Sequence, residues 1–262
     1  MIKIGITGTL LLLLSTLILG QNSPSPKEIM EKSRQVSKLT GMEAISTLKI
    51  FDAKGRERTR KISVASRTFE NGTIEKRIIR FLAPAEVKGT GMLIFDYDAS
   101  DDDMWIYMPA LRKTRRIVSS EKGKSFMGSE FSNADMSAPN LEDYTYTLVG
   151  IEFVNEKECW KIEMIPVSEE IMDEIGVTRK ISWIGEEDYV LRKSEYYDLD
   201  DELWKILSAS EVENLSTGKY MATYMKMENV QSGRRSEFSM DEIQYNPEVK
   251  EEYFTVSFLE KF

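Results

Sequence analysis

Residues 47–81 read TLKIFDAKGRERTRKISVASRTFENGTIEKRIIRF. Three runs of alternating character, Thr47–Phe51, Glu57–Phe69 and Thr73–Phe81, are separated by Lys54-Gly55 and Asn71-Gly72. Both dipeptides are hairpin-turn chemistry, because glycine accepts the positive φ that a tight two-residue connection demands. Between them, Ile62 and Val64 alternate with Lys61 and Ser63, the period of a strand with one face on a core. The segment predicts antiparallel hairpins.

The pattern repeats along the chain. Strands are expected over Gly91–Tyr97, Asp103–Met108, Thr114–Val118, Tyr144–Glu152, Glu158–Ile165, Lys180–Ile184 and Tyr189–Tyr197, then over Leu203–Glu211, Lys219–Asn229 and Arg235–Tyr245. Asn155-Glu156-Lys157, Asp200-Asp201, Thr217-Gly218 and Ser232-Gly233 supply turns between them. Helical patterns are few. Ser25-Pro26-Lys27-Glu28 has the layout of a capping box with proline at the first helical position, and Ile29, Met30, Val36 and Leu39 follow at helical spacing up to Gly41. A short helix is expected over Glu169–Ile175, capped by Ser168 and stopped by Gly176, and a third over Asn246–Thr255. Strands do not alternate with helices, so a parallel α/β fold is not expected. A meander of this length must close into a barrel or curl around a helix. No repeat or linker interrupts it, so residues 21–262 read as one domain.

The first twenty residues read differently. Lys3 precedes a run of apolar and small residues from Ile4 to Leu19, and Gly20 is followed by the polar Gln21-Asn22-Ser23-Pro24. This is the layout of a cleavable signal peptide over residues 1–20. The run falls short of the ~20 residues that cross a bilayer comfortably. No cysteine stands at its end, so a lipidated N-terminus is not expected. The mature chain is expected beyond the inner membrane, in the periplasm.

Composition narrows the chemistry. The 262 residues contain no histidine and one cysteine, Cys159, which excludes Ser-His-Asp and Cys-His hydrolysis, His-ligated zinc, an internal disulfide and a thiolate cluster. With 35 basic against 44 acidic residues the net charge is −9, the wrong sign for a nucleic-acid partner. Charge is nonetheless uneven. Arg112, Lys113, Arg115, Arg116, Lys122 and Lys124 cluster around the single acid Glu121, whereas Ser168–Glu202 carries twelve acids against four bases. Two solvated faces would account for this, as would a basic rim for an anionic lipid or an acidic partner. Apparent motifs dissolve on inspection. Gly123-Lys124-Ser125 has Val118 where a phosphate loop needs glycine, and Asp98-x-Ser100-x-Asp102 has Asp103 where a calcium loop needs glycine. Cys159 beside Trp160 reads as a buried thiol. No catalytic constellation is visible, and no metal or cofactor is expected.

Strand faces say more. Met221, Thr223, Met225 and Met227 share one face, and Trp160, Ile162 and Met164 share another. Both faces are apolar over Met92–Phe95 and Met104–Met108. Fourteen methionines suit a surface that accepts ligands of loose shape, although ordinary core filling uses them too. The segment Glu121–Asn140 is rich in Ser, Gly and Asn yet carries Phe126, Met127, Phe131 and Met136. It reads as a mobile lid beside the basic stretch, or else as a structural plug or a docking surface.

One set of residues goes further. Asp103-Met104-Trp105-Ile106-Tyr107-Met108-Pro109, Arg115-Arg116-Ile117, Ser125-Phe126-Met127-Gly128-Ser129-Glu130-Phe131-Ser132 and Asp135 resemble the signature of the outer-membrane lipoprotein-sorting proteins, relatives of the LolA lipoprotein carrier. Trp183-Ile184, Tyr189, Arg192-Lys193, Tyr196-Tyr197-Asp198 and Trp204-Lys205 continue the likeness in order. The resemblance implies a mainly β fold, a half-open antiparallel β-barrel wrapped around a few α-helices, with an apolar cavity for acyl chains. It implies a periplasmic carrier that binds lipoprotein or phospholipid acyl chains for transfer toward the outer membrane, with inner- and outer-membrane transfer partners. Cavity and lid would then be lined by Leu93, Phe95, Trp105, Tyr107, Phe126, Met127, Phe131, Trp160, Trp183, Met221, Met225 and Met227. Arg112, Lys113, Arg115 and Arg116 would form the headgroup or partner rim. A lipid-sensing accessory module on the same fold is the alternative. A histidine-free lipid hydrolase is the remaining one, disfavoured by the missing G-x-S-x-G.

Overall fold

The structure is a computed structural model that describes residues 23–215 and 218–261. The expected signal peptide, the new terminus at Gln21 and Thr217 of one turn lie outside the described residues.

All thirteen expected strands are present: β1 (Gly41–Phe51), β2 (Glu57–Phe69), β3 (Ile74–Ala83), β4 (Gly91–Tyr97), β5 (Asp103–Met108), β6 (Lys113–Arg116), β7 (Tyr144–Val154), β8 (Lys157–Pro166), β9 (Arg179–Gly185), β10 (Leu191–Tyr197), β11 (Leu203–Asn214), β12 (Tyr220–Asn229) and β13 (Arg234–Tyr245). They form one sheet in the order β6-β5-β4-β3-β2-β1-β13-β12-β11-β10-β9-β8-β7. Each neighbouring pair is a sequential hairpin, save β1 with β13, which run antiparallel from Met42↔Tyr245 to Phe51↔Arg235. The chain thus enters at the middle of the sheet and winds out to one edge, β6. It then crosses over residues 117–143 to the opposite edge, β7, and winds back. The two edges do not pair with each other, so the sheet is a half-open barrel.

Among the described residues three helices accompany it. The helix α1 (Pro26–Ser37) carries the capping box: Ser25 Oγ accepts from the Glu28 amide, and the Glu28 carboxylate accepts from the Ser25 amide at 2.6 Å. It ends at Ser37, not Leu39, and Gly41 is the first residue of β1 instead of a helix stop. Leu39 is buried in the inner core from an extended segment, so tertiary burial outweighs local helical spacing there. The helix α2 (Glu169–Ile175) is capped by Ser168 and ends at Gly176 in the left-handed region, as its sequence requires. The helix expected over Asn246–Thr255 is absent. Asn246 takes a positive φ before Pro247, a single 3₁₀ turn covers Glu251–Tyr253, and only α3 (Val256–Leu259) is helical. The residue before a proline is steered away from helix, and the apolar residues of this tail reach for a sheet face instead.

Two apolar layers result. On the concave side Leu48, Ile62, Ile79, Phe81, Met92, Ile94, Met104 and Met227 form the main core. On the convex side Ile78 and Leu93 pack under Val249, Phe254 and Leu259 of the C-terminal tail, with Phe95, Trp105 and Tyr107 alongside. Gly91 is needed for that closeness, since a Cβ there would meet Leu259 Cδ1 at 2.7 Å. The edges differ. Strand β6 is short and charged, a form that discourages further pairing. Strand β7 is long and exposes Leu148, Val149, Ile151 and Phe153, with its ladder interrupted between Leu148 and Gly150.

Candidate functional site

Between the concave face, α1, α2 and the crossing segment lies a cavity of about 470 Å³. That lies within the range of sites that enclose a single small ligand. Its walls follow from strand parity. Odd residues of β12 (Met221, Met225, Met227) face in, as do even residues of β13 (Phe238, Met240) and Met42 and Leu48 of β1. Registers Met225↔Phe238 and Leu207↔Met227 join them into one apolar floor.

The crossing segment forms the opposite wall, and it is anchored. Phe126 and Phe131 are 3% and 4% exposed, and the Phe126 ring lies 5.8 Å from that of Phe81. Ser125 and Ser132 form an isolated antiparallel bridge, and the Phe126 amide donates to Phe131 O at 2.8 Å. Glu130 pins the middle: its carboxylate forms an ion pair with Arg234 at 2.8 Å and accepts from Asn229 Nδ2 at 3.0 Å, and its carbonyl accepts from Lys205 Nζ at 2.8 Å. Gly123 donates to Glu174 O at 2.9 Å and passes so near the end of α2 that a Cβ would sit 2.8 Å from the Ile175 backbone. The expectation of a mobile lid is therefore corrected. Apolar side chains and buried polar anchors hold the segment as a fixed wall, the plug alternative, and Gly123-Lys124-Ser125 is docked.

A polar end completes the cavity. Arg34 of α1 pairs with Asp96 at 2.7 Å and with Asp98 at 2.9 Å, while Asp96 accepts from the Ala138 amide at 2.9 Å. Arg77 pairs with Glu75 at 2.6 Å and donates to Met136 O. Lys122 pairs with Glu174 at 2.6 Å. Burial raises the Asp96 carboxyl above its ordinary value. Burial, and second the Asp96 charge, push Asp102 up to about 6. These groups tie α1, β3, β4 and residues 134–140 together. Among the described residues no cluster of His, Cys, Asp or Glu is arranged to hold a metal ion.

Of the twelve expected lining residues, Phe126, Phe131, Met221, Met225 and Met227 line this cavity. Met127 packs against the same core behind the wall. Trp160 belongs to an adjoining cluster under α1, its ring 5.0 Å from Tyr189. Those two and the remaining five are corrections. Leu93, Phe95, Trp105 and Tyr107 point to the convex face beneath the C-terminal tail, one residue out of phase with Met92, Ile94 and Met104. Trp183 lies on that side too, with Cys159 and Ile181, and donates to Glu152 at 3.0 Å. Because β4 and β5 are apolar on both faces, periodicity alone could not choose between them. The rim is corrected as well: Arg112, Lys113, Arg115 and Arg116 are exposed around β6, away from the cavity lining, with Arg115 paired to Glu121 and Arg116 to Asp103.

Sequence reasoning passed over Arg34, Arg77, Asp96, Lys180 and Met42. Asp96 was the legible one, since a carboxylate inside an apolar strand must find a buried partner. Met42 follows Gly41, where helical spacing predicts a stop, and nothing local marks it as the start of a cavity-facing strand.

A family model described as an uncharacterized protein matches residues 74–261. No curated protein matches the chain. Among solved structures, a domain described as an outer membrane lipoprotein-sorting protein from Vibrio parahaemolyticus is similar with TM-score 0.83 and 26% identity, over 90% of this chain and 98% of that one. A DUF1329 family protein from Desulfovibrio piger has TM-score 0.82 and 29% identity, over 89% and 97%. A LolA superfamily protein from Nitrosomonas europaea shares the fold, with TM-score 0.67 and 17% identity over 90% and 100%. The resemblance read from the W-x-Y-x-P and F-M-G-S segments thus meets the same group of structures.

Proposed function

From the premise that the chain belongs to the uncharacterized protein family matched over residues 74–261, we propose that it is a periplasmic carrier. It encloses an acyl chain of a lipid or lipoprotein and hands it on toward the outer membrane without chemical change. The observation that carries this reading is the methionine- and phenylalanine-lined cavity of about 470 Å³. Likeness to a lipoprotein-sorting domain and to a LolA superfamily fold supports it. Each buried methylene stabilises the complex by about 0.8 kcal/mol, and the lost freedom of the ligand takes back several. A chain of roughly a dozen methylenes then binds firmly yet reversibly. That balance suits a carrier, which must release its cargo. Methionines on the floor adapt to chains of different shape. Export by the segment ending at Gly20 puts this binding in the periplasm.

The test is native mass spectrometry with lipid extraction of protein purified from the envelope, together with a fluorescent fatty-acid titration and a product assay. Co-purified lipid and saturable binding without turnover are expected. Absence of any amphiphile binding overturns the reading. Steady release of free fatty acid, abolished by one serine or carboxylate substitution, replaces it with a hydrolase.

A further inference from the structure

Among the described residues five cations line the cavity, and four have carboxylate partners. Arg34 pairs with Asp96, Lys38 with Asp98, Arg77 with Glu75 and Lys122 with Glu174. Lys180 is the fifth. Its β9 position is in phase with Ser182 and Ile184, which face the cavity, and out of phase with Ile181 and Trp183, which face away. Its ammonium lies 4.7 Å from the Tyr196 ring centroid and 5.9 Å from that of Tyr144. Among the described residues it has no ion pair and no hydrogen bond to a protein acceptor. Tyr196 is itself tethered, its hydroxyl donating to Asp135 at 3.3 Å. Two aromatic faces thus hold a cation at the cavity wall without satisfying its three donors. Lys180 is half-buried at the cavity wall, and its donors can answer an anion that enters the cavity.

We propose that Lys180 is the anchor for the anionic head of the bound amphiphile, a carboxylate or a phosphate monoester. This rests on the carrier reading and names its ligand class. The placement fits a molecule with one charged end. From Lys180 the concave face runs past the hydroxyl pair Ser182 and Ser194, 2.9 Å apart, to Leu207 and then to Met225 and Met227. The path crosses from β9 to β12, about 14 Å at ordinary strand spacing. The head would meet an ammonium beside hydroxyls, and the tail would lie on the methionine floor. Lysine suits this role as a compact point charge that accepts either oxyanion.

The experiment uses the mature chain and three probes of equal chain length: hexadecanoate, hexadecyl phosphate and hexadecanol. Each is measured by displacement of a fluorescent fatty acid, with wild type, Lys180→Gln and Lys180→Arg. Thermal midpoints confirm that the variants fold. At least one anion is expected to bind wild type about tenfold or more tightly than the alcohol, as a charge-assisted hydrogen bond allows. Whichever anion gains more identifies the head. Lys180→Gln should abolish the preference, and Lys180→Arg should keep most of it. Equal affinity for all three probes, or a preference that survives Lys180→Gln, overturns the anchor while leaving the carrier. No binding of any probe overturns both.

Discussion

Truncating Phe126 to alanine tests whether the crossing segment is wall or flap. The ring is 3% exposed and packs 5.8 Å from Phe81 between the sheet and the cavity. Burial of a whole phenylalanine side chain is worth about 1.5–3 kcal/mol by transfer, and the void left behind raises the cost of truncation to roughly 3–5 kcal/mol. Little collapse is expected, because Glu130 and the Ser125–Ser132 bridge hold the backbone around it. A loss of that size lowers the thermal midpoint by on the order of 10 °C for a chain of this length. A flap behaves otherwise: its side chain is wet part of the time, so truncation costs little stability but frees the ligand sooner. The assay is thermal and urea unfolding of ligand-free protein, paired with the off-rate of a fluorescent fatty acid from the folded variant at low temperature. The expected result is a large stability loss with an off-rate changed only a few-fold. A midpoint within a degree of wild type, together with a tenfold faster off-rate, would refute the wall and restore the lid.

Two further outcomes are open to direct measurement. Met225→Trp puts bulk into the cavity from a partly buried floor position, so acyl-chain affinity should fall at least tenfold while stability changes by less than about 1.5 kcal/mol; displacement titration and urea unfolding check the pair. Asp102 is pushed up to about 6, mainly by burial, so the folded state holds its proton more tightly than the unfolded state does. Its contribution to stability therefore declines as pH rises from about 4 to about 6 and is flat above, a change on the order of 2–3 kcal/mol. Asp102→Asn should remove that part of the slope in unfolding measurements between pH 4.5 and 7.5, and an unchanged slope would assign it elsewhere.

Local chemistry made most of the architecture legible. A capping box at Ser25 and Glu28, turn pairs such as Asn71-Gly72, and period-two alternation in Glu57–Phe69 each act within a few residues, and the elements they specify are all present. The W-x-Y-x-P and F-M-G-S segments pointed to the right group of folds. Four things were set by partners distant in sequence. Strands β4 and β5 are apolar on both faces, and only the C-terminal tail, arriving about 150 residues later, determines that Leu93 and Trp105 look outward. Gly- and Ser-rich composition made residues 121–140 look mobile, whereas Glu130 reaching β11–β13 anchors them. The basic cluster at Arg112–Arg116 stood out because it is contiguous, yet it sits around an edge strand. Lys180, isolated in sequence, lies in the cavity because sheet order brings β8 and β10 to either side of it. Sequence alone determined the strands and helix caps, since those depend on near neighbours. Which face each strand buries, and which charge is left without a partner, depend on contacts across the whole sheet, and only the folded chain decided them.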